Sequence, residues 1–326
     1  MDRRNVLAFG VAALAAQLSS AALAQGRYPD RPIRLIVPFP PGGIYDAVGR
    51  PWAERIKPLL GTIVVENQGG AGSSLGAAAV ARSQPDGYTI LLGGISALII
   101  NPVASSRPPY DPVKDFEPIS ILGFSSCTIV VHPSLPVRDL KGLVAYAKAN
   151  PGKLSYGSSG VGSINHLSGE LLKSLSGIDI PHVPYRGAGP AMTDLIGGQI
   201  QMNVQSVSGQ VIELHRAGKL RMLAVTSPQR LEAATEVPTA VESGFPDLVA
   251  QQFIGLFGPA RTPKVAIDAI AEATHKALAL RELQQQFITS GFDPALDIGP
   301  EATRKLVADE IGRWTPLIKS IGLKLD

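Results

Sequence analysis

Cysteine is nearly absent: Cys127 is the only one among 326 residues. No disulfide can close within the chain, and no cysteine-based metal cluster can form. Set between Ser126 and Thr128 in an apolar stretch, it reads as a small buried residue. Histidine is scarce as well. The five present show no H-x-x-x-H or H-E-x-x-H spacing, so neither a zinc site nor another metal is expected. Charge of either sign is thin: 30 Lys and Arg stand against 27 Asp and Glu, a formal +3 with no basic run. That balance argues against a nucleic-acid partner. Beyond residue 24, no segment keeps the ~18 uninterrupted apolar residues that a membrane helix needs, so a soluble mature product is expected.

What is present begins with a leader. Arg3 and Arg4 precede an apolar run from Val6 to Ala16, and Ala22-Leu23-Ala24 has the A-x-A form of a cleavage site. Residues 1–24 therefore read as an export signal, of the general secretory or the twin-arginine type. The leader contains no cysteine for lipid attachment.

Further on, short apolar runs alternate with helix-like segments. Ile33–Val37 precedes Asp46–Leu60, Thr62–Glu66 precedes Ser74–Ser83, and Tyr88–Leu92 follows the turn Pro85-Asp86-Gly87. Later, Leu140–Ala149 reads as helix, Leu154–Gly157 as strand and Ile164–Leu175 as helix. Such alternation predicts an α/β protein with parallel strands. Two extended segments, Phe124–Ser126 and Thr226–Ser227, read as crossings between lobes. Residues 25–124 and 227–326 would form one lobe and 125–226 the other.

Four loops carry the chemistry. "VPFPPGGIYDAVGR", residues 37–50, leaves the first strand through Pro40-Pro41-Gly42-Gly43 and opens a helix near Asp46. At the carboxyl edge of a sheet this is a seat for an anion; it is equally a tight turn with Asp46 as N-cap. "ENQGGAGSSLGA", residues 66–77, contains G-x-S-x-G, the form of a hydrolase nucleophile elbow, centred on Ser74. An elbow needs its serine directly after the strand, and seven residues intervene here. A nest of backbone N–H groups and hydroxyls fits better. "YGSSGVGSINHLSGELL", residues 156–172, repeats the design, with Ser163 as helix cap and His166 in the first turn, there more readily bonded locally than to a ligand. "VPYRGAGPAMTDLIGGQI", residues 183–200, sets Tyr185 and Arg186 before another helix. Arg186 either reaches a ligand carboxylate or stays solvated.

Together with "YPDRPIRLIVPFPPGG", "PDGYTILLG", "YDPVKDFEPIS" and "LAVTSPQRLEAATEVPTAVESGFPDL", these segments span nearly the whole chain after the leader. Their combination resembles the Bug-type extracytoplasmic solute receptors, the binding proteins of tripartite tricarboxylate transporters. The resemblance implies two α/β lobes of the type 2 periplasmic-binding-protein fold, with a ligand cleft between them. It implies a periplasmic, monomeric receptor that takes up a small organic carboxylate and delivers it to a membrane permease, with no catalysis and no cofactor. It also implies that backbone N–H groups of Gly43, Ile44, Tyr45 and Asp46, with Ala71, Gly72, Ser73 and Ser74, hold the carboxylate. Asp46 would fix its loop and cap the helix rather than touch the anion by its charge. The expected ligand set adds Ser96, Ser158, Ser159, Ser163, His166, Tyr185, Arg186 and Gln205. Ile44-Tyr45 departs from the family's usual small residues, Gln68-Gly69 from an Arg-Pro pair, and Gln201 and Gln205 from frequent aspartates. Tyr45 would add a ring to the cleft wall. Two rival readings remain: a secreted serine hydrolase using Ser74, and a receptor that senses a ligand for a signalling partner.

Overall fold

A computed structural model of the chain describes residues 28–325; the leader expected at 1–24 lies outside them. Ten strands follow in the order β1 Ile33–Val37, β2 Ile63–Asn67, β3 Thr89–Gly94, β4 Phe116–Val131, β5 Tyr156–Ser158, β6 His182–Pro184, β7 Met202–Ser206, β8 Arg221–Val225, β9 Gln251–Pro259 and β10 Asp293–Pro294. The helices are α1 Ile44–Leu60, α2 Ser74–Ala81, α3 Asn101–Ala104, α4 Leu140–Ala149, α5 Ile164–Ser176, α6 Ala188–Ile196, α7 Gly209–Arg216, α8 Lys264–Leu278, α9 Arg281–Thr289 and α10 Pro300–Ser320. Among the described residues, no helix is long and apolar enough to cross a membrane.

The strand order is β2-β1-β3-β9-β4-β7-β5-β6, with β8 and β10 also on β4. Strands within each lobe pair in parallel, β1 with β2 and β3, β5 with β6 and β7. The alternation did not foretell the two long strands that join the lobes, β4 and β9, which run antiparallel to each other and to their neighbours. β1 is buried at four of five positions, as a parallel strand covered on both faces must be. Helix α1 buries Val48, Trp52, Ile56 and Leu60, at four-residue spacing, against lobe one. A separate cluster around Val130, Met192, Val211 and Met222 fills lobe two. A third, holding Ile36, Leu91, Ile129, Tyr156 and Trp314, runs through both.

Phe116–Ser126 of β4 pairs with β9, and Cys127–Val131 of the same strand pairs with β7 and β8. The first crossing is therefore a change of partner within one unbroken strand. The second is displaced from the position read in the sequence. Leu231, Ala234 and Val237, beyond Thr226, pack with Val211, Ile212 and Met222 of lobe two. The chain rejoins lobe one at Gln251, which pairs with Ser126. Thr226 stays at the junction as a staple. Its hydroxyl donates to Ala250 O at 2.6 Å and accepts from Cys127 N at 3.0 Å. Cys127 is buried and free, and burial pushes its thiol up to about 11.

Candidate functional site

The loops at the carboxyl ends of β1, β2 and β5 converge on a cavity of about 950 Å³ between the lobes. Lobe one contributes Phe39–Tyr45, Ala71, Gly72, Ser96 and Asn101; lobe two contributes Ser159, Val161–Asn165, Ala188 and Ser206, with Gln252 and Leu325 closing the sides. A smaller cavity of about 300 Å³ adjoins it through Gly42–Ile44, Ala188 and Ser206, and reaches Ser125, Gln205, Ser208 and Gln210. None of the residues lining either cavity carries a charged side chain. A larger groove of about 1060 Å³, along α9 with Ala47, Pro51 and Glu232, receives none of the glycine- or serine-rich loops. Convergence of loops, not size, marks the site.

The lobe-one wall presents backbone. Helix α1 starts at Ile44 with Gly43 as its cap residue, so no side chain caps it. The first N–H groups of a helix have no intrahelical acceptor, and here the first two belong to Ile44 and Tyr45, which line the cleft. Asp46 is the third helical residue and not the N-cap. Its buried carboxylate accepts from Gly42 N, from Asn67 Nδ2 at 3.1 Å and from Arg50 Nε at 3.2 Å. It holds the loop from behind, but the helix cap that the resemblance implied for it falls to Gly43 instead. The Asp46 N–H itself is spent on Gly43 O at 3.0 Å.

The second lobe-one loop is held in a left-handed turn. Gly70, Ala71, Gly72 and Ser73 have φ of 140°, 46°, 61° and 90°. Two of these are not glycine, a backbone strain of about 1–3 kcal/mol each that the surroundings must hold. Asn101 holds it: its Nδ2 donates to Gly72 O and, at 3.2 Å, to Ser73 Oγ. A Cβ on Gly72 would come within 3.2 Å of that amide. Ser73 is buried and its N–H goes to Gly70 O at 3.0 Å. Ser74 opens α2 outside the cavity lining. Of the second-loop quartet, Ala71 and Gly72 reach the cleft while Ser73 and Ser74 support it.

Tyr45 departs from expectation. Its backbone borders the cleft, but its ring turns into the lobe-one core and packs against Phe39, tilted by 33° at 4.3 Å between centroids. Its hydroxyl is buried with no protein partner, and burial raises its pKa. Phe39, half-buried, is the ring nearer the opening.

In lobe two, Ser163 caps α5 by accepting from His166 N at 3.1 Å. Ser159 donates to Asn165 Oδ1 at 2.6 Å, and Asn165 in turn donates to Ser206 Oγ at 3.2 Å. Ser158 and His166 lie behind this loop rather than on it: Ser158 is fully buried against His182, and Gly162 N donates to His166 Nδ1. Tyr185 bonds Asp194 at 2.8 Å and, like exposed Arg186, is absent from the cavity lining. Gln205 lines the smaller cavity, its Oε1 accepting from Asn203 Nδ2 at 3.0 Å. That leaves its two N–H donors as the groups it can offer. Ala188 and Gly189 line the cleft at the start of α6, whose cap residue, Gly187, again supplies no side chain.

Sequence reading missed the two amides that hold the loops. Asn165 stood beside His166 in a loop already singled out, and Asn101 precedes Pro102 at a helix start. The contribution of Leu325, near the far end of the chain, had no sequence signal.

Two α/β lobes joined by antiparallel strands, with helix N-termini and glycine loops facing a shared cleft, define a solute-binding protein. Residues 48–323 match the tripartite tricarboxylate transporter family receptor, TctC, and the chain belongs to that family. It is 36% identical to BugT of Bordetella pertussis over 308 residues, 94% of each chain. It superposes on an R. palustris protein solved with adipate at a TM-score of 0.80, with 30% identity, 91% of this chain and 99% of that one covered. MatC from Rhodopseudomonas palustris, solved with bound malate, gives 0.76 at 28% identity, covering 89% of this chain and all of that one.

Proposed function

We propose that this protein captures a small organic carboxylate in the periplasm and delivers it, as a monomer, to the permease of a tripartite tricarboxylate-type transporter. The observation that carries the reading is the uncharged cleft onto which α1 and α6 open with glycine caps. Helix N-termini favour anions, and N–H groups without a side-chain cap are donors that a ligand can satisfy. Three or four charge-assisted bonds at ~1.5–3 kcal/mol each reach the ~8 kcal/mol of a micromolar complex, before the costs of closure. The relatives solved with adipate and malate support the same ligand class.

The far end of the ligand meets Gln205 and the serines of the smaller cavity. With its acceptor taken by Asn203, Gln205 offers donors, which suit a second carboxylate or a neutral acceptor and not an ammonium group. Hydrolysis is not favoured. Among the described residues no histidine is hydrogen-bonded to Ser74, the contact an activated serine would make with its base.

Calorimetry with adipate, malate, succinate and aspartate tests this. Binding of at least one dicarboxylate with preference for succinate over aspartate is expected, and Gln205→Asp should reverse that preference. Preference for aspartate in the wild type, or ester turnover abolished by Ser74→Ala, would overturn the reading.

A further inference from the structure

Behind the lobe-two loop that lines the cleft lies a stacked pair of imidazoles, His166 buried and His182 half-buried, that solute recognition does not use directly. His182 Nε2 meets Ser158 Oγ at 2.7 Å, at the start of the loop. His166 Nδ1 accepts from Gly162 N at 3.3 Å, in its middle. The two rings stack with centroids 4.1 Å apart and planes 20° from parallel, and the Tyr156 ring stacks on His182 at 4.9 Å. Gly162 lines the cleft at φ 77°, and Ser163 beside it caps α5.

We propose that His166 and His182 are positioning residues: as a stacked, uncharged pair they hold loop 158–163 in its cleft-lining shape, so solute binding weakens when the pair takes up a proton. This rests on reading the cleft as the solute site. The chemistry follows from one atom. Nδ1 of His166 accepts the Gly162 N–H, which assigns the ring's proton to Nε2. A second proton has only Nδ1 to occupy, where it would point at the Gly162 N–H and turn an acceptor into a donor. Two imidazolium rings at this stacking distance repel each other, so the pair resists charging twice.

The charged groups acting on the pair are both on α5. Glu170, which accepts from Tyr156 Oη at 2.7 Å and from Lys173 Nζ at 3.0 Å, favours protonation, and Lys173 opposes it. Burial dominates both and holds the rings below the usual histidine range; His182, also opposed by His166, falls to about 4. A depressed folded-state value means that this stabilisation is complete above the unfolded value of about 6.5. It is lost as pH falls through the folded one.

The test needs no known ligand in its first arm. The Gly162 amide is followed by proton–nitrogen NMR from pH 7.5 to 3.5 in wild type, His166→Asn and His166→Leu. Asparagine Oδ1 takes the place of Nδ1 and does not titrate. The amide is expected to shift and lose exchange protection at low pH in wild type, to stay constant in His166→Asn, and to be unprotected throughout in His166→Leu. An amide insensitive to pH in wild type, or moving equally in His166→Asn, would overturn the proposal. In the second arm, adipate affinity should fall at least tenfold more over this range in wild type than in His166→Asn. The variant carries adipate's own titration, so only the difference counts. Equal losses would overturn the positioning role even if the amide moves. Failure of adipate to bind at pH 7.5 would count against the proposed function alone, and the amide arm would still decide this one.

Discussion

The two walls of the cleft are built on the same plan, strand, glycine loop, helix, yet they spend their hydrogen bonds differently. In lobe two the loop before α5 satisfies itself, and open donors remain at the glycine-capped start of α6 and on Gln205. Ser163 caps α5, Ser159 bonds Asn165, and Gly162 is tied to His166. Lobe one leaves donors open: Gly43 caps α1 without a side chain, and the polar side chains nearby, Asp46 and Asn101, hold the loops from behind. A wall with spare N–H groups can recognise charge. A wall that has used most of its own donors can give shape. On this comparison, and under the proposed function, lobe one would read the carboxylate and lobe two the rest of the ligand.

The largest effect should come from Asp46→Ala. It removes the acceptor of Gly42 N and Asn67 Nδ2 and should cost about 3 kcal/mol of stability, measured by chemical denaturation, with adipate binding lost in calorimetry. Gly72→Val is next. A β-branched residue at φ 61° against Asn101 should destabilise by about 1–3 kcal/mol and weaken binding more than tenfold. Ser163→Ala, in the self-satisfied loop, should cost only the ~1 kcal/mol of a lost cap, with a smaller change in affinity. If it damaged binding more than Asp46→Ala, the division of labour between the walls would fail. The smallest effect belongs to Arg186→Ala: the side chain is exposed and lines neither cavity, so affinity should stay within twofold. Abolished binding there would replace the backbone site by an arginine clamp.

Much of this architecture was legible in sequence because local chemistry dictates it. β1 and α4 fall where the apolar pattern places them, Ile33–Val37 and Leu140–Ala149, and Ser163 caps α5 as a serine before a helical run should. β4 was not legible as one strand, because Gly123, Ser125 and Ser126 interrupt its apolar run exactly where it changes partners. Helix α1 begins two residues before the position read for it, since a glycine cap leaves no side-chain signal. The orientation of Tyr45 is decided by Phe39 and the lobe-one core, which no local pattern encodes. Asn101 and Leu325 enter the cleft through tertiary folding alone.

The pairing of β3 with β9 has a consequence for the order in which the molecule assembles. Leu91 pairs with Phe257, across all of lobe two. β5 to β8 of lobe two, with the β4 segment they need, precede β9 in the chain, so that lobe can form while lobe one still lacks its fourth strand. Pairings between such distant segments form late and slowly. The loops proposed to read the anion, after β1 and β2, belong to the sheet that β9 completes. Solute binding should therefore appear together with the final folding step, so that no partly folded intermediate competes for ligand.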